Sequence, residues 1–224
     1  MYSSSLPLQK SILPSNPFEG ANWLYSEHPA FWNKLGTYPS QRFIDSVSKH
    51  LFEEFSTVIK KFSGNDFQKR INQFFTFVCG KTPMSRGQIL HAVELLHRLI
   101  QREIATVRCV TAKLSQYHNP VCASSQSLSE SFAQAEYDRS LIPSSLFEPI
   151  VTEGNLGTLL LCALCIAGKI NEDIPFNNKY WARLLQIDIN IVNSSECVFL
   201  QRLNFNVNFN VEAIYRIATQ LQLI

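Results

Sequence analysis

The chain has 224 residues, with 20 Lys and Arg against 18 Asp and Glu and a formal net charge of +2 at pH 7. This length predicts one domain, with or without an extension, and a content of 46% hydrophobic and 12% aromatic residues argues against a largely disordered chain. The nearly balanced charge argues against a dedicated nucleic-acid surface, where clustered Lys and Arg are expected.

The amino-terminal sequence MYSSSLPLQK lacks the apolar stretch of a secretory signal peptide. We therefore expect a reducing cytoplasmic and/or nuclear location for this chain, which has six cysteines. Cys162, Cys165 and Cys197 lie in apolar helical runs, where free cysteine acts as a small hydrophobic residue. The longest apolar run, residues 159–167, is shorter than the roughly 20 residues of a membrane span, so no span is predicted.

The first half of the chain predicts an extension followed by amphipathic helices. Residues 1–40 combine serines, prolines and aromatic residues with few charges, which predicts an irregular extension that partly wraps a domain formed by residues 41–224. Apolar residues every three or four positions predict helices over residues 41–62, over residues 66–78, and from Ser85 to about Val110. Ser40 is the predicted N-cap of the first helix, and Gly64 and Gly80 are predicted helix ends.

The second half begins with a polar region and continues with helices. Residues 115–153 are rich in Ser and lack a sustained period, which predicts a long insert. The next predicted helix, residues 156–170, has Asn155 as its cap and is apolar on all sides, so we expect it at the centre of the domain. Asn177 or Asn178 is predicted to cap a short helix, and the remaining predicted helices cover residues 190–203 and 211–221. The fold class is all-α, with residues 204–210 the best candidate for a strand.

Three sequence blocks, taken together and in this order, resemble a cyclin box. They are AGKINED at residues 167–173, NKYWA at residues 178–182 and NSSECVFLQRLNF at residues 193–205. Their order and spacing are most similar to the phosphate-regulator (P-type) and Y-type cyclins. The resemblance covers about residues 66–210 and implies a five-helix cyclin box with extra N-terminal and C-terminal helices.

The sequence departs from the cyclin pattern at several places. Gly168 stands where the family usually has Ser, and Ser195 stands where it usually has Leu. The insert before the buried helix is longer than in typical members. The Met-Arg-x-Ile-Leu motif, with which cell-cycle cyclins dock substrates, is absent from the first box helix. Docking of substrates by that route is therefore not expected.

The resemblance implies a non-catalytic regulatory subunit that binds and activates a cyclin-dependent-type protein kinase, in the cell cycle or another pathway, without a cofactor or a metal. The family's kinase-contacting lysine and glutamate correspond to Lys169 and Glu196. A cation is favourable at a helix C-terminus, and the two groups can bind main-chain carbonyl and N–H groups of a partner. The alternative is a pair of solvated charges at helix ends. The family's apolar positions that pack on the mobile helix of the kinase correspond to Ile170, Leu200, Phe205 and Val207.

Other residues admit other functions. Lys69, Arg70, Lys81 and Arg86 form a modest basic cluster, which keeps open a cyclin-fold adaptor or transcription-factor-like module that binds nucleic acid or acts as a scaffold without activating a kinase. Trp181 is interpreted as a core anchor. The sequence shows no Gly-rich phosphate loop, nucleophile elbow or carboxylate dyad, so we do not expect an enzyme.

Two further patterns have the spacing of metal ligands. Cys162 and Cys165 are separated by two residues, but a second Cys or His pair at zinc spacing is missing, so packing cysteines are favoured. His91, Glu94 and His97 lie three residues apart on one predicted helix, which differs from the i, i+4 spacing of zinc proteases. They are interpreted as surface or edge residues.

Overall fold

A computed structural model describes residues 29–59, 66–117 and 151–223 of the chain. These residues form eight α-helices and one turn of 3-10 helix, Glu153–Asn155, and contain no strand. The α-helices are α1 (Pro29–Leu35), α2 (Gln41–Ser56), α3 (Phe67–Lys81), α4 (Arg86–Tyr117), α5 (Leu156–Asn171), α6 (Asn178–Leu185), α7 (Ile189–Arg202) and α8 (Val211–Gln220). The predicted all-α class is confirmed.

Side-chain caps fix the first residues of several helices. The Phe43 N–H donates to Ser40 Oγ at 3.4 Å at the start of α2, as predicted. At the start of α6 the Tyr180 N–H donates to Asn177 Oδ1 at 2.9 Å, so Asn177 is the cap and Asn178 is the first helical residue. The Asn178 side chain is therefore not needed for the cap and can form other hydrogen bonds.

The predicted insert at residues 115–153 is ordered at both of its ends. Helix α4 continues past Val110 to Tyr117, because this stretch contains neither Gly nor Pro and a helix continues at little cost without such a breaker. At the other end, the Asn155 N–H donates to Thr152 Oγ1 and the Thr152 N–H donates to Asn155 Oδ1, which forms a capping box. Thr152 therefore caps the 3-10 turn, and Asn155, which stands at the N-cap position of α5 as predicted, makes no side-chain cap bond to that helix. Residues 118–150 lie outside the described residues.

The described end of the predicted N-terminal extension is helical and packs on the domain. Phe31 of α1 is buried, and its ring meets the Tyr215 ring of α8 edge-on with 5.5 Å between their centroids. The Arg86 N–H of α4 donates to the Thr37 carbonyl oxygen at 3.0 Å. Residues 1–28 and the predicted stop at Gly64 lie outside the described residues, and α2 ends at Ser56, before the predicted residue 62.

Helix α5 forms the centre of the domain, as its apolar circumference predicted. Its residues from Leu159 to Ala167 are all buried, and it packs against α4 on one side and α7 on another. Trp181 of α6 is 1% exposed and anchors the same core. By length and composition Glu153–Asn171 is apolar enough to cross a membrane, but more than half of it is buried within this fold. Such burial is typical of a core helix and is compatible with the predicted absence of a membrane span.

Candidate functional site

The two charged residues that the cyclin-like motifs single out, Lys169 and Glu196, contact each other. Lys169 lies in the last turn of α5, and Glu196 lies in the middle of α7, which packs on α5. The distance from Lys169 Nζ to Glu196 Oε1 is 2.5 Å. The lysine side chain is 33% exposed, whereas the glutamate side chain is only 13% exposed. Glu196 is therefore not a solvated charge at a helix end.

Asn178 completes a polar cluster around this ion pair, which consists of Lys169, Asn178, Asn193 and Glu196. Asn178 Nδ2 donates to Glu196 Oε2 at 2.6 Å and to Asn193 Oδ1 at 2.8 Å. Its own Oδ1 is buried and has no hydrogen-bond partner among the described residues. The sequence suggested Asn178 as a possible helix cap and as the first residue of the NKYWA block, but not as a partner of Glu196, because the spacing of α6 and α7 along the chain does not reveal which side chains meet.

Two cysteines of α5 lie close enough to the polar cluster to interact electrostatically with Lys169 and Glu196. Cys162 and Cys165 are each 1% exposed, and burial raises the pKa of Cys162 to about 12 and also raises the pKa of Cys165. Thiols in such surroundings stay protonated and inert at neutral pH. No cluster of three or more metal-ligating side chains occurs in the part of the chain that the structure describes. The two cysteines pack in the core as predicted, whereas Cys197 is exposed, because it lies on the outer face of α7.

The four apolar candidate residues occupy the end of α5, the second half of α7 and the segment after it. Ile170 and Phe205 are exposed, by 41% and 64%, whereas Leu200 and Val207 are partly buried and pack against the core. The Phe205 N–H donates to the Leu200 carbonyl oxygen at 2.8 Å, which closes the C-terminus of α7 in the manner of a Schellman motif. Phe205 is thus held at a fixed position relative to Leu200.

The backbone at Phe205 adopts an unusual conformation. Asn204 and Phe205 have φ values of 51° and 55°, in the left-handed region that bulky residues rarely adopt. The strand suggested by residues 204–210 does not form, because this left-handed pair turns the chain sharply as it leaves α7. The turn presents the Phe205 ring to solvent at a cost in backbone strain.

His91 of α4 connects the end of α5 to the segment that follows α7. His91 Nε2 donates to the Val207 carbonyl oxygen at 3.1 Å, and Nδ1 accepts from Asn171 Nδ2 at 2.8 Å. These two partners assign the hydrogen to Nε2. Burial lowers the pKa of His91 to about 4, so the ring is neutral at pH 7.

Glu94 and Arg98, about one and two turns further along α4, hold the same segment. Arg98 donates to the main-chain oxygens of Asn206 and Asn208, at 2.8 and 2.9 Å, and pairs with Glu94. Burial raises the pKa of Glu94 despite this arginine. The interpretation of His91 and Glu94 as surface or edge residues was wrong, since they are 0% and 2% exposed. Their flank of α4 is covered by residues 206–209, which no helical spacing could predict.

His97, the third residue of that pattern, lies at a partly exposed edge. Its Nδ1 is 2.9 Å from Glu54 Oε2, so it joins α4 to α2. The hydrogen bond to Glu54 raises the pKa of His97, and the same bond lowers the pKa of Glu54. His97 therefore belongs to the contact between α2 and α4.

The basic residues that suggested nucleic-acid binding do not form one patch. Lys69 and Lys81 lie near opposite ends of α3, about 18 Å apart along the helix axis at 1.5 Å per residue. Arg70 is paired with an acidic side chain at 3.0 Å, and the guanidinium of Arg86 lies 5.5 Å from the centroid of an aromatic ring. Their charges are therefore dispersed or already partnered.

A cavity of about 190 Å³ lies between α5 and α7, on the flank of α7 formed by Ser194 and Val198. Its wall combines apolar side chains with the polar groups of Asn155, Thr158 and Ser195. Carboxylates and imidazoles are absent from its described lining, so the cavity does not present the convergent acid–base groups of an active site.

A scan against protein-family models found no match for this chain, and searches of curated proteins and of solved structures found none either. The resemblance to cyclins therefore rests on the sequence motifs quoted above. The geometry of the residues in those motifs supports a functional proposal.

Proposed function

We propose that this chain is a cyclin, a non-catalytic regulatory subunit that binds and activates a cyclin-dependent-type protein kinase in the cytoplasm and/or nucleus. In this proposal α3 to α7 are the five helices of a cyclin box, α1 and α2 precede it, and α8 follows it. The observation that supports the proposal most strongly is the ion pair between Lys169 and Glu196. These two residues, separately matched to the kinase-contacting pair of cyclins, come from different helices and meet at 2.5 Å.

The surface around this ion pair has the composition of a protein-binding site. Ile170 directly follows Lys169 and is exposed, and His91 connects this turn of α5 to the segment that contains exposed Phe205. An apolar centre next to a few charged or polar groups is typical of sites that bind a partner's helix. Lys169 has ammonium hydrogens left for a partner after it donates to Glu196.

The proposed activity is a shift in the conformation of the kinase. Binding would hold the mobile helix of the kinase inward, which completes the kinase's own Lys–Glu ion pair and orders its activation loop. The chain performs no chemistry in this mechanism, because it acts only by its higher affinity for the active conformation.

A pull-down from an extract of the source cells tests the proposal. Wild-type chain, the double variant Lys169→Ala/Glu196→Ala and the control Lys179→Ala/Glu212→Ala are compared by mass spectrometry and kinase assay. The control removes the same charges from exposed positions on α6 and α8. We expect an active kinase with the wild type and the control, and none with the double variant. Equal retention by all three would reject the interface, and no kinase with any of them would reject the function.

The alternative of a nucleic-acid-binding module has less support. Its basic residues are spread along α3 or already partnered, as described above. Binding to duplex DNA that weakens steeply with salt would favour it over the kinase proposal.

A further inference from the structure

Each carboxylate oxygen of Glu196 already accepts one hydrogen bond within the chain. Oε1 accepts from Lys169 Nζ at 2.5 Å, and Oε2 accepts from Asn178 Nδ2 at 2.6 Å. With only 13% of its side chain exposed, Glu196 is poorly placed to accept a main-chain N–H from a partner. Lys169 differs, because a third of its side chain is exposed and its ammonium has three hydrogens, of which one is used.

We propose that Lys169 alone makes the polar contact to the partner, as a donor to main-chain carbonyl oxygens, and that Glu196 and Asn178 are positioning residues that direct its ammonium. This inference rests on the proposed function, and it assigns Asn178 a part that the cyclin-like motifs do not predict. Lys169 has several rotatable bonds, so a fixed carboxylate is needed to hold its ammonium at one place. Asn178 fixes that carboxylate from the opposite side.

The orientation of the Asn178 amide is determined by its neighbours. If its oxygen and nitrogen were exchanged, the amide oxygen would face the Glu196 carboxylate and the Asn193 oxygen, two acceptors. In the observed orientation Oδ1 is buried without a partner among the described residues. A buried acceptor without a partner costs free energy. The two hydrogen bonds that the Asn178 amide donates, to Glu196 and Asn193, offset this cost.

Asn178→Asp is the sharpest test, because aspartate has the same shape but replaces the donor with a second carboxylate. At neutral pH the two carboxylates repel each other, and on acidification they share a proton and the hydrogen bond re-forms. The other ionisable groups near Glu196 are Lys169 and the thiols Cys162 and Cys165, and burial raises the pKa of both thiols, so that they stay protonated over this range. The variant therefore introduces a pH dependence that a merely structural change would not produce.

The free chain provides the first measurement, with the Lys169 ammonium observed by ¹⁵N NMR. We expect a resolved, exchange-protected signal in the wild type, its loss in Asn178→Asp at pH 7, and its return on acidification. Asn190→Asp, at an exposed position on α7, is the control and should keep the signal throughout. An unchanged Lys169 signal in Asn178→Asp at pH 7 would overturn the positioning role.

The second measurement uses the purified kinase that the wild-type chain retains. Lys169→Met should weaken kinase binding at least about tenfold at every pH, whereas Glu196→Gln should change the affinity by no more than about threefold. Asn178→Asp should weaken binding strongly at neutral pH, and its affinity should recover on acidification. A loss with Glu196→Gln as large as with Lys169→Met, with no loss in Asn178→Asp, would show that Glu196 itself contacts the partner. If the wild type binds no kinase, the proposed function and the contact by Lys169 fail together, and the NMR result alone decides whether Asn178 positions the pair.

Discussion

The Lys169 ammonium and the Glu196 carboxylate lie 2.5 Å apart although the two residues are 27 positions apart in the chain. Their bond joins the last turn of α5 to the middle of α7, the two helices that contain the strongest cyclin-like motifs. Because the glutamate is mostly buried, the attraction is screened less than that of a surface pair, and the cost of removing the carboxylate from water is larger.

Replacing Lys169 with Met should lower the free energy of unfolding by about 1–3 kcal/mol, because Glu196 would stay buried without its cation. Lys169→Met/Glu196→Leu should lose less than the sum of the two single variants, since it leaves no unpaired charge. Urea unfolding followed by tryptophan fluorescence measures these values, with the exposed Lys179→Met as control. Strict additivity would mean that the two groups do not interact in solution.

Phe205 should show opposite effects on stability and binding. Phe205→Gly removes the strain of a side chain at φ 55° and little buried surface, so it should raise the unfolding free energy by about 0.5–1.5 kcal/mol. Phe205→Ala keeps the strained Cβ and should show no such gain. Both variants should lose kinase in the pull-down, because both lack the ring. Retained binding in either variant would remove Phe205 from the interface.

His91 should make the protein sensitive to acid. The folded state lowers its pKa to about 4, from 6.5 in the unfolded chain, so unfolding takes up a proton between these values. The stability that depends on neutral His91 is complete above about pH 6.5 and declines as the pH falls toward 4. The unfolding free energy of the wild type relative to that of His91→Gln should therefore decrease as the pH is lowered from 7.5 to 4.5.

His91→Gln is the matched variant because its amide can still donate to the Val207 oxygen. His91→Leu removes that donor as well and should cost about 1–3 kcal/mol at pH 7, since the Val207 carbonyl would be left unpaired. A pH-independent difference between wild type and His91→Gln would contradict the lowered pKa. The nearby Glu94 is present in both proteins, so its titration cancels in the comparison.

Gly168→Ala should stabilise the protein by about 0.5–1 kcal/mol, because glycine is unfavourable inside a helix. A Cβ at this position would meet no atom within 4 Å, so the added methyl group has room. A rise of about 1–4 °C in the melting temperature is the expected signal. Gly87→Ala is the comparison variant. Its Cβ would lie 3.4 Å from Leu35, so we expect a smaller gain in stability. A lower melting temperature for Gly168→Ala would show that the space is occupied in solution.

Features of this fold that depend on near neighbours in the chain could be predicted. The apolar circumference of α5 predicted its central position, and the cap at Ser40 was predicted from the residue type. Helix α4 ran past its predicted end because the loss of an apolar period does not stop a helix that lacks Gly and Pro. Periodicity therefore predicts which residues face the core better than it predicts where a helix ends.

The sequence by itself determined the all-α class and the central helix, since residue type and short-range spacing are sufficient for these, whereas Lys169 and Glu196 were singled out by the resemblance to cyclins. Only the tertiary structure decided that Glu196 is mostly buried, that Asn178 holds it, and that residues 206–209 cover His91 and Glu94. These contacts join residues far apart in the chain, and their geometry depends on how whole helices pack. Local propensity contains no information about that packing, whereas the buried charge and the strained Phe205 exist only because of it.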